Sequence, residues 1–443
     1  MSLKVGLAQI DYTPKLGLNL MGNYRDDYAA KGIHDNLYAK AIVFSNDSGE
    51  KAALLSVDIC MMDRGNIAMM RDYISSKCQI AGDRVLIAAT HTHSGPAPMM
   101  LGTLPKADDA DIKLFLTKAC QAVMEAEKNM VDSKLRVGYS SENRVSFNRA
   151  MKCTDGKTHM NWEGLDPESV TEVLGTIDPQ VITMAFEQGG KKTAALVNFG
   201  LHPAILAGDN WLYSADYPGY LAEGLGKILG DDFKTMFFNG CCGDVNHIDY
   251  SDPLQGRGYS MTQRVGYMLA VDAFEAIKKD VESLGDVISV SREMVKLERY
   301  KISEEKRTWS LDVLERVKLE GREAGKVDGL PDEHYARVWL DMYEKQNEPD
   351  EVEVMVLRIG DVGIVGLCGE MFCELGMDIK NTSPAKHTIV IELANDAVGY
   401  IITEAAYEQG RYESTPGTTM YAKGSGEKVA ASAKRQLQEL FKS

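Results

Sequence analysis

The 443-residue chain lacks any apolar run approaching the ~20 residues that a membrane-spanning helix requires. It also lacks a Cys-x-x-Cys pair, which argues against a zinc site built from thiolates. Its eight cysteines form no even disulfide framework. Cys241 and Cys242 are adjacent and would bridge only with strain, and Cys60, Cys78 and Cys120 read as small buried hydrophobes. Basic residues are in deficit: 49 Lys+Arg against 65 Asp+Glu leave a formal charge of -16. That balance speaks against a nucleic-acid partner and against charge-driven binding to anionic membranes. No internal repeat and no low-complexity linker is found. The start, Met1-Ser2-Leu3-Lys4, runs directly into a strand-like Val5–Ile10, so no secretory signal is legible.

What the chain does have is enough apolar residue, 44%, to bury a large core. Strand-like runs are expected near residues 5–10, 39–44, 52–57, 84–89, 135–139, 181–186, 193–199 and 235–238, and again near 352–359, 362–368 and 388–393. Helices are expected near 64–76, 109–129, 217–229, 262–279 and 425–441. Interleaved strands and helices predict a mixed α/β (α+β) fold with sheets layered by helices. Residues from about 298 to 350 are charged and helical, a surface excursion or a lid, with the solvated helical pair favoured. No compositional boundary divides the chain, which reads as one domain over 1–443.

One stretch stands out: Ala89-Thr90-His91-Thr92-His93-Ser94-Gly95-Pro96, at the end of an apolar, β-favouring run. On a strand, side chains i and i+2 share a face, so His91 and His93 are expected to point together beyond the strand's C-terminal end. Two hydrogen-bonded core histidines are one reading. A metal site is the other, since neutral imidazole is the commonest transition-metal ligand. Further donors follow other expected strands: His202 after Leu196–Gly200, Glu370 in a Cys-Gly-Glu turn, and Tyr400 after Asn395-Asp396. Singly, each signal is weak, and Glu370 also reads as a helix N-terminal carboxylate.

Together these residues resemble the neutral (non-lysosomal) ceramidases, zinc-dependent N-acyl hydrolases. The resemblance is carried by Met21-Gly22-Asn23-Tyr24, Gly32-Ile33-His34, Ser56-Val57-Asp58 and the Thr-His-Thr-His-Ser-Gly-Pro stretch. It continues through Phe147-Asn148-Arg149, His202-Pro203, Ser214-Ala215-Asp216-Tyr217-Pro218-Gly219, Gly243-Asp244-Val245, Gly369-Glu370, Tyr400–Thr403 and Tyr412-Glu413. It implies one zinc ion per chain, held by His91, His202, Glu370 and Tyr400. It further implies that His93 and Tyr412 contact the reacting carbonyl, and that Arg149 and His34 contact the substrate. The implied reaction is attack by metal-bound hydroxide on the amide of a ceramide-like amphiphile. The donors are nitrogen and oxygen, which suit zinc. The resemblance also leans toward a secreted or periplasmic setting.

Two departures from that family pattern matter. Asn246 stands where the resemblance implies a serine; an amide can hold a carbonyl or a water but cannot accept an acyl group. Next to it, His247 reads as a surface residue. Longer members also carry a C-terminal β-sandwich that this chain does not show. Three readings therefore stand: a zinc amidohydrolase of sphingolipid-like substrates, a zinc hydrolase of a different soluble amide or ester, and a non-catalytic metal-binding protein. The expected partner is a small-molecule or lipid substrate, and the sequence leaves the oligomeric state open.

Overall fold

The computed structural model describes residues 3–321 and 330–442. A nine-stranded sheet runs in the order Lys234–Asn239, Lys191–Phe199, Gln180–Gln188, Val131–Ser141, Leu3–Asp11, Tyr38–Asn46, Lys51–Val57, Val85–Ala89, with Val281–Glu282 pairing on Val131–Ser141. Its interior neighbours are antiparallel, while the pair at each end is parallel. Each parallel pair needs a crossover, and the helices Arg64–Lys77 and Tyr217–Leu229 supply them. The Asp63 side chain caps the first of these by accepting from the Asn66 N–H, which satisfies an otherwise orphaned donor.

Side chains alternate along the strands as the pleat dictates. Ala39, Ala41 and Val43 face the helices Arg64–Lys77 and Asp109–Lys128, whereas Ile42 and Phe44 face a second sheet. That second sheet has four strands, Ile288–Leu297, Asp350–Ile359, Val362–Leu367 and His387–Ile391. Met355, Leu357, Ile364 and Ile389 meet the large sheet, and Val354, Val356 and Val365 pack under the helices Cys373–Thr382 and Ser425–Leu440. Strands with both faces covered read as continuous apolar runs, which is why they are legible in the sequence. The fold is mixed α/β, sheets inside and helices outside.

The large sheet curls so that its two ends approach each other, and the Ser56 hydroxyl donates to the Phe237 carbonyl across the gap at 2.6 Å. The C-terminal ends of Val85–Ala89, the last strand in the order, and Lys191–Phe199, next to the other end, therefore open into one region. The charged excursion holds two helices, Glu304–Glu320 and Asp332–Lys345; residues 322–329 of it lie outside the described residues. The first helix buries only Ser310 and Val313, as a solvated helix should. The second departs from that expectation. It buries Tyr335, Trp339 and Met342 in a small core with Ile302, and the Trp339 indole N–H donates to Pro416 O at 2.6 Å. Cys60 and Cys120 are buried as expected, Cys78 is half-buried, and none of the eight cysteines is bridged.

Candidate metal centre

His91 and His93 do not share a strand face. The strand Val85–Ala89 ends before them, and His91 adopts a left-handed backbone with φ of 74°. Such a conformation costs a non-glycine residue roughly 1–3 kcal/mol and persists only where its surroundings impose it. Here the His91 N–H donates to Ile59 O at 2.9 Å. The turn still brings the two rings together, nearly perpendicular at 89°, with their Nε2 atoms 3.4 Å apart. Gly22, with φ of 104°, packs on the His93 ring; a Cβ there would lie 2.4 Å from its Cγ.

His202 and Glu370 complete a buried cluster. The Glu370 carboxylate oxygen Oε2 lies 3.1 Å from His202 Nε2 and 3.5 Å from His91 Nε2. Behind them, His91 Nδ1 meets the Cys60 carbonyl at 2.8 Å and His202 Nδ1 meets the Cys242 carbonyl at 2.9 Å. A carbonyl oxygen only accepts, so each Nδ1 carries the proton, and each neutral ring turns an Nε2 lone pair toward the carboxylate. Lone pairs facing a carboxylate repel unless a cation lies between them. Tetrahedral zinc, with N/O bonds of ~2.0–2.1 Å, sets its donors about 3.3 Å apart, which is the spacing found. The residues fit the ion.

The ionisation of the cluster follows from its crowding. Burial, then the neighbouring His91, holds His202 down to about 4. Burial, then His91 and His202, puts His93 well below its ordinary value. At His91 burial opposes the charged form, yet Cys60 and Glu370 outweigh it and raise the pKa, so in the metal-free site this ring tends to carry a second proton on Nε2 toward Glu370, the place a cation would take with the ring neutral. At Glu370 burial is outweighed by the pull of His202 and His91, which in the metal-free site share a proton with the carboxylate through Nε2 and hold its pKa well below the ordinary value; a bound cation would take that proton's place.

Glu370 is not a helix N-terminal residue, since the following helix begins at Cys373. It lies in a two-residue strand, Glu370–Met371, paired in parallel with Tyr400–Ile401, and Glu370 stands opposite Tyr400 in that register. Gly369, with φ of 80°, makes this approach possible, because a Cβ would sit 2.6 Å from Gly399 O. Burial pushes the Tyr400 phenol well up, although the Arg149 guanidinium lies 5.1 Å from its ring and acts in the opposite sense.

His91, His202, Glu370 and Tyr400 open into one cavity of about 370 Å³, which His93, Arg149, Tyr412, Asn246 and His247 also line. Arg149 is held by Glu413 and by Gly243 O, 2.6 Å from its Nη2. The Tyr412 ring lies 5.8 Å from Tyr400 and 5.8 Å from Trp162. Asn246 is in the wall with its amide engaged: it exchanges two hydrogen bonds of 2.8 Å with Asn161. Two expectations fail. His34 is not among the residues lining the cavity; it stacks on Tyr259 at 3.8 Å and bonds Asp35. His247 is not a surface residue, being 8% exposed, and burial pushes it down to about 4. The segment forming its surroundings, Asn161-Trp162 among them, is remote in sequence, so the chain's own pattern around His247 gave no sign of burial.

Glu392 was not among the expected residues. Its carboxyl accepts from the Cys242 N–H at 3.1 Å and the Met371 N–H at 3.0 Å, and the Cys242 thiol donates to it at 2.9 Å. It thus ties the loop behind His202 to the strand carrying Glu370, and burial raises it to about 8. The available signal was a carboxylate ending the apolar run Thr388–Ile391. The excursion also reaches the site, since Leu330 and His334 line the cavity and His334 Nδ1 bonds the Thr103 hydroxyl at 3.0 Å.

Residues 3–246 match the family model described as neutral/alkaline non-lysosomal ceramidase, N-terminal. The chain is 26% identical to neutral ceramidase A of Dictyostelium discoideum over 234 residues, 49% of this chain and 31% of that protein. It is 22% identical to the neutral ceramidase of Mycobacterium tuberculosis over 296 residues, 61% of this chain and 45% of that protein. The matched stretch thus spans less than half the length of these relatives. The crystal structure of neutral ceramidase from Pseudomonas aeruginosa superposes with a TM-score of 0.77 at 18% identity, covering 99% of this chain and 74% of that one.

Proposed function

The chain belongs to the neutral/alkaline non-lysosomal ceramidase family, and from that we propose that it is a zinc-dependent hydrolase cleaving the N-acyl amide bond of a ceramide-like amphiphile. The observation that carries this reading is the convergence of two Nε2 lone pairs and one carboxylate at 3.1 and 3.5 Å. His91, His202 and Glu370 would hold the ion, with Tyr400 as the fourth donor. Zinc held there supplies Lewis acidity and a water that ionises near neutral pH.

The chain's other residues take distinct parts. His93, kept neutral by burial, is set beside His91 to hydrogen-bond the oxygen of the carbonyl as it gains charge, and Tyr412 does so from the 3-10 turn Tyr412–Ser414. Arg149, fixed by Glu413 and Gly243, adds a buried positive charge behind Tyr400 and Tyr412. Asn246 offers no nucleophilic oxygen, and its amide is occupied by Asn161; it positions the wall. Cleavage therefore proceeds by direct hydrolysis with no acyl-enzyme. Met61, Leu104, Trp162 and Ile248 give the cavity an apolar lining suited to an acyl chain. The site is built on segments that follow strands of both sheets, which supports reading the chain as one domain.

A second reading, a hydrolase of shorter or soluble amides or esters, is favoured by size. A cavity of about 370 Å³ lies at the small end of the usual range for ligand pockets. One experiment tests both: the zinc-loaded protein is assayed on long-chain N-acylsphingosine beside short-chain amides and esters. Faster turnover of the long-chain amide supports the first reading, and preference for the short substrates supports the second. No hydrolysis across the panel, with zinc bound, leaves only a non-catalytic metal protein.

A further inference from the structure

Most buried polar atoms of a folded protein find a hydrogen-bond partner, so those that do not ask for an explanation. Three residues that line the cavity of the metal centre each carry such an atom: His93 Nδ1, His247 Nδ1 and Asn23 Nδ2 are buried with no partner among the described residues. His93 belongs to the catalytic cluster already described. His247 and Asn23 do not, and nothing in the proposed hydrolysis employs them.

His247 is held firmly in place. It follows the strand Val245–Asn246, which pairs antiparallel with Phe147–Asn148, the strand that leads into Arg149. The same short ribbon thus sets Arg149 and His247 in the cavity wall. On one side the Asn161–Asn246 amide pair pins the backbone, and on the other Gln255 Nε2 donates to the His247 carbonyl at 2.8 Å. The side chain is more than nine-tenths buried with one ring nitrogen unused. Asn23, in the turn after Gly22, contributes an amide N–H₂, which only donates.

We propose that His247 and Asn23 form a polar subsite that recognises a hydroxyl group of the substrate near the scissile amide, and that His247 determines specificity. The inference rests on the amide-hydrolase reading of the same cavity. A hydroxyl both accepts and donates, and so satisfies an amide N–H from Asn23 as well as a neutral imidazole. A hydrocarbon at that place would leave two buried polar groups unpaired, which is a source of strong discrimination against substrates lacking the group. The cavity then selects on polarity at one place and on apolar fill elsewhere.

Matched probes test this. N-hydroxyethyl dodecanamide and its isostere N-propyl dodecanamide differ only in OH against CH₃ on the amine side; an α-hydroxydodecanoyl propylamide moves the hydroxyl to the acyl side. The wild-type protein is expected to favour at least one hydroxylated probe by about 10-fold or more in kcat/KM. His247→Ala and Asn23→Ala should each erase most of that preference, with bound zinc and the rate on N-propyl dodecanamide unchanged. His247→Gln, which restores a donor and an acceptor, should recover part of it. Equal kcat/KM for all three probes in the wild type, or an equal fall on all three in His247→Ala, overturns the subsite. If the wild type cleaves no amide, the hydrolase reading has failed separately, and calorimetric binding still decides: tighter binding of a hydroxylated probe that His247→Ala abolishes upholds the subsite, and indifferent binding sinks it.

Discussion

His91 and His93 sit two positions apart yet differ in their hydrogen bonding. His91 gives its Nδ1 proton to a backbone carbonyl and presents Nε2 to Glu370, while His93 keeps an unpartnered Nδ1 in the cavity. Substitution should separate the two roles. Glu370→Ala or His202→Ala is expected to bring bound zinc, measured by mass spectrometry of the purified protein, well below one per chain. Full occupancy in both variants would refute the donor set. His93→Ala and Tyr412→Phe should keep the metal and slow turnover by ~10²–10³-fold, the usual loss for one donor to an oxyanion. His247 offers a pH test. Its folded pKa is depressed from 6.5 to about 4, so between those values the unfolded chain binds a proton that the native state refuses. Stability is therefore lost as pH falls from 6.5 toward 4, by up to about 1.4 kcal/mol per pH unit for this group. In denaturant titrations of the metal-free protein, His247→Asn should show a shallower decline over that window, and an identical slope would contradict the burial argument.

At the level of elements, a buried ion pair joins the helix Arg64–Lys77 to the second sheet. Arg71 grips Glu353 with both ends of its guanidinium, at 2.8 and 3.0 Å, and Arg292 approaches from the adjacent strand. Burial alone would raise the Glu353 pKa, but the two arginines outweigh it and depress it. A carboxylate of that kind stabilises the fold above the ordinary range and ceases to as pH falls through its depressed pKa. Glu353→Gln should cost about 3 kcal/mol at pH 7 by leaving Arg71 buried and uncompensated, and the deficit should shrink in acid. A deficit that stays constant down to the most acidic pH at which both proteins remain folded would show that packing, not charge, is responsible. Trp339→Ala removes an indole that anchors the excursion helix to Pro416 O, so hydrogen exchange should speed up in Asp332–Lys345 before the central strands are affected. Uniform acceleration would mean that the helix is not a separable unit. The long strands and helices were readable in the sequence because burial on one or both faces imposes a period or an unbroken apolar run. The two-residue ladders that seat Glu370, Tyr400 and Asn246 were not, since no pattern fits within two residues. His91 escaped the strand reading for a related reason: its left-handed turn is imposed by Ile59 and its neighbours, none of them adjacent in the chain. His34, matched by motif, sits elsewhere, and no local signal distinguishes a stacked surface imidazole from a ligand-facing one.

For the whole molecule, a formal charge of -16 sets how a lipid-borne substrate is approached. At low salt, turnover of N-acylsphingosine in vesicles should fall when phosphatidylserine replaces phosphatidylcholine. The gap should close as salt rises and the screening length drops from ~10 Å at 0.1 M to ~3 Å at 1 M. Faster turnover on the anionic vesicles at low salt would show that a local surface, not net charge, governs docking. The same large scale governs how the metal centre is assembled. The proposed nitrogen donors, His91 and His202, lie within the stretch matched by the family model, residues 3–246, while Glu370 and Tyr400 lie beyond it. A nascent chain that has just completed the large sheet therefore holds two imidazoles and no carboxylate to close the set. With the proposed donor set, zinc capture would await synthesis of the second sheet and of Tyr400, and metal loading would be a late event that reports a finished fold.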